Sequence, residues 1–274
     1  MDLNSVDTVL LPRARAELPP WSNDTALLGG GTWLFSEPQP EIRRLVDLTA
    51  LGWENLAVDA AGLHIAATCT IAALSRFAPP ADWPAADLIG HCCEALLGSF
   101  KVWNAATVGG NICLALPAGP MIALTAALGG IATVWCRDGG ERRLPVADFV
   151  LGERRTALTE GEILRSVLLP RAAFPRRFAF RRMSLTQIGR SAVLLIGTRD
   201  RDGGFALTLT AATTRPICLS LAAPPSPANL AARIESAVST PGLWHDDIHG
   251  DPAWRRHLSL RFAEEIRQHL SRPR

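Results

Sequence analysis

The stretch Thr107-Val-Gly-Gly-Asn-Ile112 sets two adjacent glycines inside an apolar segment, and an earlier run, Leu27-Leu-Gly-Gly-Gly-Thr32, sets three glycines directly after a predicted strand. Consecutive glycines lack Cβ atoms, so their backbone N–H groups can turn toward one point and cradle an oxyanion beside a threonine hydroxyl. Each run taken alone is more typical of a tight turn. Neither run is Gly-x-Gly-x-x-Gly, so the dinucleotide-binding fold marked by that motif is not indicated.

Around the two glycine runs, short strand patterns alternate with helix patterns. Alternating or continuous apolar residues predict strands at Thr8–Pro12, Ala26–Leu28, Arg44–Leu48, Gly62–Ala67 and Ile131–Cys136. Apolar residues at helical spacing predict helices at Ala86–Leu97 and Met121–Leu128. Pro120 suits the first position of the second helix, and Gly129-Gly130 suits its end. The pattern predicts a mixed α and β fold.

The last hundred residues predict a sheet covered by a helix. Asp202-Gly203-Gly204 separates the apolar segments Ala192–Arg199 and Phe205–Ala212, which is a hairpin signature. A final helix is predicted to begin with Asp251 as its N-cap and Pro252 in its first turn. Its apolar side chains recur at steps of four, at Trp254, Leu258, Phe262, Ile266 and Leu270. The proline-rich segment 170–175 predicts a boundary before this unit.

Composition excludes several classes of protein. The 274 residues are 48% hydrophobic and 20% charged, which is typical of a globular fold. The 28 basic and 26 acidic residues form no long run of one sign, so a nucleic-acid-binding surface is not indicated. Lys101 is the one lysine and stands outside any Gly-Lys-Ser/Thr motif, which excludes a P-loop NTPase. A nucleophile elbow is missing too, since Gly189-Arg-Ser191 lacks the final glycine.

The sequence predicts neither a metal site nor a membrane span. The six cysteines include no Cys-x-x-Cys pair, so we expect reduced thiols and no zinc or iron–sulfur cluster. His245 and His249 lack the glutamate of His-Glu-x-x-His, and a solvated loop is expected there. The uncharged stretch Ile112–Cys136 could span a bilayer in length, but prolines and glycines interrupt it. The amino terminus shows no secretory pattern, so a cytoplasmic location is expected.

The surroundings of the second glycine run are more specific than the run alone. The segment from Leu97 to Ile112, followed by Pro117-Ala-Gly119, closely resembles the flavin-binding segment of the molybdenum hydroxylase family. That segment occurs in the FAD subunit or domain of xanthine dehydrogenases, aldehyde oxidoreductases and the medium subunit of carbon monoxide dehydrogenase. The first run is similar to the family's Ala-Gly-Gly-Thr segment. A third block, between Phe149 and Pro170, is similar to the stretch that closes its flavin domain.

This resemblance covers nearly the whole chain in order, and it implies a fold. The expected class is α+β, with an FAD-binding fold of two α/β subdomains followed by a C-terminal domain of antiparallel sheet and helix. The implied FAD-binding domain is 1–172, with subdomains of about 1–51 and 52–172. The C-terminal flavoprotein domain is then 173–274.

The same resemblance implies a set of FAD-binding positions and no catalytic residue. The backbone amides of the first run would hold the pyrophosphate, and the second run would form a second wall. Ile112 would lie near the flavin ring, while Leu164 and Arg182 would contact the cofactor, with Arg182 in place of the usual lysine. The full set is Gly29, Gly30, Gly31, Thr32, Trp33, Thr107, Gly109, Gly110, Asn111, Ile112, Leu164 and Arg182.

The chain also departs from the family pattern at several positions. Leu116 stands where serine is usual, Pro120 where an aspartate helps to hold the nucleotide, and Trp33 where aspartate is common. The chain has no tyrosine, so it lacks the aromatic residue that some relatives stack by the flavin. Each lost hydrogen bond is worth on the order of 1 kcal/mol. We therefore expect FAD to be held more loosely, or partly by a partner.

The resemblance finally implies an electron-transfer role in a complex. A large subunit with a molybdenum cofactor would oxidise the substrate, and a small subunit with two [2Fe–2S] clusters would relay electrons to FAD in this chain. NAD⁺, oxygen or a quinone would accept them, and the expected assembly is a dimer of heterotrimers. Two alternatives stay open, a stand-alone FAD oxidoreductase and a flavin-free scaffold subunit of the same complex.

Overall fold

A computed structural model of the chain describes residues 3–272, and its first unit is a small parallel sheet. The strands are β1 (Thr8–Leu10), β2 (Thr25–Leu28) and β3 (Arg44–Asp47), in the order β1-β3-β2. Both pairings are parallel. The first glycine run follows β2 directly, so it lies at the carboxyl end of a parallel strand, where ligands of such sheets usually bind.

The central unit is an antiparallel sheet covered by short helices. Its five strands are β4 (Leu56–Val58), β5 (Gly62–Ala66), β6 (Ile131–Trp135), β7 (Glu141–Pro145) and β10 (Ile163–Pro170), in the order β4-β5-β10-β6-β7. The helices are α1 (Ile71–Ser75), α2 (Leu88–Ala95), α3 (Phe100–Ala105), α4 (Val108–Leu114), α5 (Pro120–Ala127) and α6 (Val146–Phe149). Between α6 and β10, β8 (Val150–Gly152) pairs with β9 (Arg155–Thr156). Alternate residues of β6 are buried in the same hydrophobic core as α4 and α5.

The third unit is a four-stranded antiparallel sheet with two helices. The strands are β11 (Arg177–Met183), β12 (Val193–Arg199), β13 (Phe205–Thr210) and β14 (Ile217–Leu221), paired in sequence order. The helices are α7 (Pro227–Ala237) and α8 (Pro252–Ser271). Asp251 caps α8 by accepting the Trp254 N–H at 2.9 Å. The absence of a side chain at Gly197 lets α8 lie close, since a Cβ there would overlap Ile266.

The second and third units share a core around α5. Leu194, Ile196 and Ala211 of the third unit belong to the same buried cluster as α5. The Ala211 N–H also donates to the carbonyl of Pro117, in the loop after the second glycine run, at 2.8 Å. This packing brings the start of β12 and the second glycine run to one side of the molecule.

The α+β class and most of the sequence-predicted elements are confirmed. The hairpin of β12 and β13 and the final helix lie where they were expected. The predicted helix 86–97 is shorter, because a 3₁₀ turn (Pro84–Asp87) precedes α2. The uncharged stretch 112–136 is divided among α4, α5 and β6. Within residues 3–272, every helix is too short or too polar to cross a bilayer.

Candidate functional site

A cavity of about 510 Å³ lies where the three units meet. The first glycine run and the residues on either side of it form one wall, and the second run with the loop to α5 forms another. Residues 95–97 and Val102 add an apolar wall. Arg190 and Ser191, from the segment that enters β12, complete the lining. Of the residues proposed from the sequence, Gly29, Gly30, Gly31, Thr32, Trp33, Thr107, Gly110 and Asn111 line this cavity.

The first glycine run presents unpaired backbone donors to the cavity. The N–H groups of Gly30, Gly31, Thr32 and Trp33 have no acceptor among residues 3–272. Gly31 has a φ of 69°, a left-handed conformation that glycine adopts without strain. A left-handed residue within such a turn directs successive N–H groups to one side and forms an anion-binding concavity. Unpaired backbone donors favour an anionic ligand, because leaving them unsatisfied once water is displaced is unfavourable.

The backbone N–H groups of the second glycine run are hydrogen-bonded within the chain. Thr107 caps α4, and its Oγ1 accepts the Gly110 N–H at 3.0 Å. The N–H groups of Val108 and Gly109 donate to the carbonyls of Cys69 and Ala67, each at 2.8 Å. The Asn111 N–H donates to the Thr107 carbonyl at 3.0 Å. The expectation that this run turns free N–H groups toward one point is therefore wrong.

The two glycines of the second run have different structural roles. A Cβ at Gly109 would lie 2.5 to 2.7 Å from atoms of Ala67, so Gly109 permits α4 to start against the chain that leaves β5. Gly110 is exposed on the cavity wall, and a Cβ there would meet only Thr107 Oγ1, at 2.9 Å. The φ of Gly110 is not positive, so its backbone conformation does not require glycine. Gly110 shapes the cavity by leaving space.

The two runs are in direct contact. A Cβ on Gly30 would overlap the carbonyl oxygen of Ala105, and one on Gly29 would lie 2.9 Å from Thr107 Oγ1. Only glycine fits the first of these positions, because the obstacle is backbone rather than a side chain that could turn away. The contact holds the free donors of the first run opposite the wall formed by Gly110 and Asn111.

Asn111 joins the second run to the following helix. Its Oδ1 accepts the Met121 N–H at 3.0 Å, which satisfies one of the free donors at the start of α5. Pro120 and Leu116 line the cavity nearby and make this part of the wall apolar. The three positions at which the resemblance implies a lost polar group, Leu116, Pro120 and Trp33, thus all line the cavity.

Four residues proposed from the sequence lie outside the lining. Gly109, Ile112 and Leu164 are buried in the central core. Arg182 is half-buried beside the cavity, where Nε donates to Ser191 Oγ at 2.7 Å and Nη2 donates to the Gly189 carbonyl. Burial lowers the pKa of Arg182. The structure therefore places these four residues outside the cavity lining.

The sequence analysis missed Arg190 and Ser191. Arg190 is exposed, and among the described residues that line the cavity it alone carries a charge. It forms no ion pair within residues 3–272. The tripeptide Gly189-Arg-Ser191 gave no local signal, because only the pairing of β11 with β12 brings it to the cavity.

The lining has few groups that could transfer a proton. Cys113 lines the cavity, and burial raises the pKa of its thiol to about 12, so the thiol stays neutral. No histidine, aspartate, glutamate or lysine is among the described residues of the lining. Trp33 supplies an aromatic face, and the Arg154 guanidinium lies 5.4 Å from the centre of its ring. The cavity suits binding and orientation more than acid–base catalysis.

The histidine pair near the carboxyl end takes part in a buried network. His245 is buried, and its Nε2 lies 3.2 Å from Asp247 Oδ2. The same aspartate pairs with Arg255, a buried arginine that also donates to the Ala192 and Ala211 carbonyls at 2.6 Å. The expected solvated loop is thus wrong for His245. Within residues 3–272, no group of three potential metal ligands occurs.

The cavity, with its glycine-rich wall in an α+β scaffold, has the features of a site for a phosphate-containing ligand. A family model described as "FAD binding domain in molybdopterin dehydrogenase" matches residues 12–172. The chain belongs to this family, and the resemblance to FAD-binding subunits of molybdenum hydroxylases is confirmed.

Similar proteins of known name agree with this family. Xanthine dehydrogenase of Oryza sativa subsp. japonica is 34% identical over 122 residues, which is 42% of this chain and 9% of that protein. The chain thus matches only a small part of that relative. Caffeine dehydrogenase subunit beta of Pseudomonas sp. (strain CBB1) is 27% identical over 210 residues, 72% of this chain and 68% of the relative.

Solved structures show the same fold. Reconstituted CO dehydrogenase from Oligotropha carboxidovorans superposes with a TM-score of 0.81 at 20% identity, covering 98% of this chain and 99% of that one. Quinoline 2-oxidoreductase from Pseudomonas putida 86 gives a TM-score of 0.77 at 20% identity, with 98% of each chain covered. The near-complete coverage includes all three units of the chain.

The residues of the cavity fit FAD. Its pyrophosphate oxygens accept hydrogen bonds, and the segment from Gly30 to Trp33 offers four free N–H donors in succession. The rest of the lining is mainly apolar, and its described residues include one cation and no carboxylate. A cavity of this size and composition is typical of cofactor sites.

Proposed function

We propose that this chain is the FAD-containing electron-transfer subunit of a molybdenum hydroxylase complex. It would receive electrons from a [2Fe–2S] subunit and pass them to an external acceptor. The observation that carries this proposal is the cavity walled by the free amides of Gly30 to Trp33, in a chain of the FAD-binding family. Among residues 3–272, the lining contains no acid–base pair, which is consistent with a subunit that does not transform the organic substrate itself.

The residues of the chain would bind and orient the cofactor. The N–H groups of Gly30 to Trp33 would hold the pyrophosphate, and Gly110 and Asn111 would form the facing wall. Leu116 and Pro120 would exclude water beside it. FAD, when bound, supplies the redox chemistry, since the electrons enter and leave its ring system. No side chain of this chain is assigned a proton-transfer role.

The proposed partners are a large molybdenum-cofactor subunit and a small iron–sulfur subunit, assembled as a cytoplasmic dimer of heterotrimers. Support for a separate subunit comes from a relative whose name describes it as a beta subunit and which this chain matches over 68% of its length. We also propose the division into 1–172, with subdomains of about 1–51 and 52–172, and 173–274. The third unit has a hydrophobic cluster of its own beneath α7 and α8, which supports that division.

A flavin-free scaffold subunit is the second candidate. It is favoured by the apolar side chains of Leu116 and Pro120 in the cavity wall and by the use of Asn111 Oδ1 as a cap for α5. That wall therefore offers few hydrogen-bonding groups to a nucleotide. The four free donors from Gly30 to Trp33 weigh against the scaffold, because a scaffold would gain nothing from leaving them unpaired.

The visible spectrum of the purified chain tests the proposal. We expect a flavin spectrum, and acid precipitation should release FAD rather than FMN, because none of the glycine runs contains a histidine or cysteine that could tether the ring. Colourless protein that does not take up FAD would favour the scaffold. Flavin found in the protein pellet would contradict non-covalent binding.

Reconstitution then tests the role in electron transfer. The isolated chain should not be reduced by purines, aldehydes or CO, but its chemically reduced flavin should pass electrons to an acceptor. Substrate-dependent bleaching of the flavin should appear only with both partners present. Bleaching by the isolated chain would favour a stand-alone oxidoreductase, and full activity of the two partners without this chain would favour the scaffold.

A further inference from the structure

The connection between β11 and β12 brings one positive charge to the cavity. Met183 and Val193 pair at the end of the hairpin, and the Ala192 N–H donates to the Met183 carbonyl at 2.8 Å. Arg190 lies just before this closure, with an exposed side chain on the cavity wall. The first glycine run belongs to the same lining. Arg190 and the residues that carry the free amides therefore line a single cavity.

Arg182 forms hydrogen bonds with the residues on both sides of Arg190. Its Nη2 donates to the carbonyl of Gly189, and its Nε donates to Ser191 Oγ at 2.7 Å. A planar guanidinium that bonds both neighbours limits the directions in which the intervening residue can point. Arg182 has no carboxylate partner within residues 3–272, so its hydrogen bonds to this segment are the contacts that fix it.

The charge of the cavity identifies the part of the cofactor that Arg190 would meet. In oxidised FAD the pyrophosphate carries the full negative charges, while the ring system is neutral. The described lining offers partial positive charges from four amides and one full positive charge, with no carboxylate to compete. An arginine fork matches phosphate oxygens in geometry as well as in charge.

We propose that Arg190 supplies the positive charge that binds the FAD pyrophosphate, and that Arg182 is a positioning residue that acts through Gly189 and Ser191. This inference rests on the proposed function, since it assigns a residue to the same cavity. It changes the role that the resemblance gives to Arg182, which would direct another arginine to the cofactor instead of touching it.

Titration of the flavin-free full chain with FAD, ADP and riboflavin tests the proposal. FAD and riboflavin are followed by flavin fluorescence and ADP by calorimetry. Arg190→Ala should lower the affinities for FAD and ADP about tenfold, as expected for one exposed arginine–phosphate contact. The affinity for riboflavin should not change. It should also reduce the loss of FAD affinity with added salt. Arg201→Ala, which removes an exposed arginine from the β12–β13 turn, is the matched control and should change none of these values.

A double-mutant cycle tests the positioning role of Arg182. Arg182→Ala should lower the affinity for FAD about as much as Arg190→Ala does. In a chain that already carries Arg190→Ala, it should cause no further loss of FAD affinity. A merely structural role would weaken binding equally in both backgrounds and overturn this part of the proposal. Arg190→Lys should restore part of the affinity.

The outcomes separate this inference from the proposed function. If the unaltered chain binds no FAD, the proposed function fails. If it binds FAD and Arg190→Ala binds it equally well, the proposed function stands and Arg190 is not the phosphate contact. An equal loss of affinity for riboflavin would place Arg190 at the ring system and would likewise overturn the assignment.

Discussion

The two glycine runs look alike in the sequence and differ in what they offer a ligand. The first run and the following Trp33 have four N–H groups without acceptors in the described part of the chain, whereas every amide from Val108 to Asn111 is bonded within the chain. The first run is therefore suited to bind an anion, and the second to define a surface on which a ligand can lie. In the first run, the lack of a side chain at Gly30 allows the backbone contact with Ala105. In the second run, Gly109 lets α4 lie close to Ala67, and Gly110 leaves space in the cavity.

The largest effect is expected from Gly30→Ala, which would break the contact between the runs. The new Cβ would overlap the Ala105 carbonyl, so one run must move, and overpacking against backbone costs about 1–3 kcal/mol or more. We expect lower thermal stability and loss of FAD, measured by thermal unfolding and by the flavin released on acid precipitation.

Gly90→Ala is the matched control for Gly30→Ala. Gly90 lies on the exposed side of α2 with nothing within 4 Å of an added Cβ. This change should stabilise the chain by about 0.5–1 kcal/mol, because glycine is unfavourable inside a helix. Normal flavin content in Gly30→Ala would show that the first run does not need its contact with the second.

Two adjacent positions in the second run should give opposite results. Gly110→Val places a side chain in the cavity and should abolish FAD binding with little change in stability, because valine is no less favourable than glycine within a helix. Gly109→Ala drives a Cβ against Ala67, so it should destabilise the chain by about 1–3 kcal/mol. Flavin affinity and urea unfolding measured on both variants separate the two roles. Normal FAD content in Gly110→Val would remove the second run from the site.

Acid should weaken the third block without involving either glycine run. Glu162 is buried and accepts from Arg142 Nε at 2.8 Å, from Arg142 Nη2 at 2.7 Å and from the Thr159 N–H at 2.8 Å. The Arg142 guanidinium lowers the pKa of the Glu162 carboxyl to about 2. The carboxylate form therefore stabilises the fold above about pH 4.5, and this stability is lost as the pH falls from there toward 2.

Glu162→Gln should remove that acid dependence. We expect the free energy of unfolding at pH 7 to fall by about 2–3 kcal/mol, and to change less between pH 4.5 and 3 than in the unaltered chain. FAD affinity at pH 7 should persist, because Glu162 lies outside the cavity lining. A large loss of FAD affinity with intact folding would instead support the contact that the resemblance implies for Leu164 in the same block.

Local patterns predicted the parts of the fold whose determinants are local. The final helix follows from the Asp251 cap, Pro252 and apolar steps of four, and the hairpin follows from Asp202-Gly203-Gly204. The difference between the glycine runs could not be predicted, because it depends on whether distant carbonyls such as those of Ala67 and Cys69 reach the N–H groups. The position of Arg190 on the cavity wall could not be predicted for the same reason, since strand pairing and the contacts of Arg182 bring it there.

Thr107→Val should give the smallest effect and make the two runs more alike. It removes the hydroxyl that accepts the Gly110 N–H, and losing such a cap costs about 1 kcal/mol in the flavin-free chain. The freed N–H would then lie on the cavity wall, where bound FAD could accept it. The loss of stability, measured by urea unfolding with and without FAD, should therefore be smaller with FAD. Ser226→Ala removes the equivalent cap of α7, far from the lining, and should cost the same in both states. An equal loss for Thr107→Val in both states would mean that FAD does not reach Gly110, and that the second run acts on the first only through their contact.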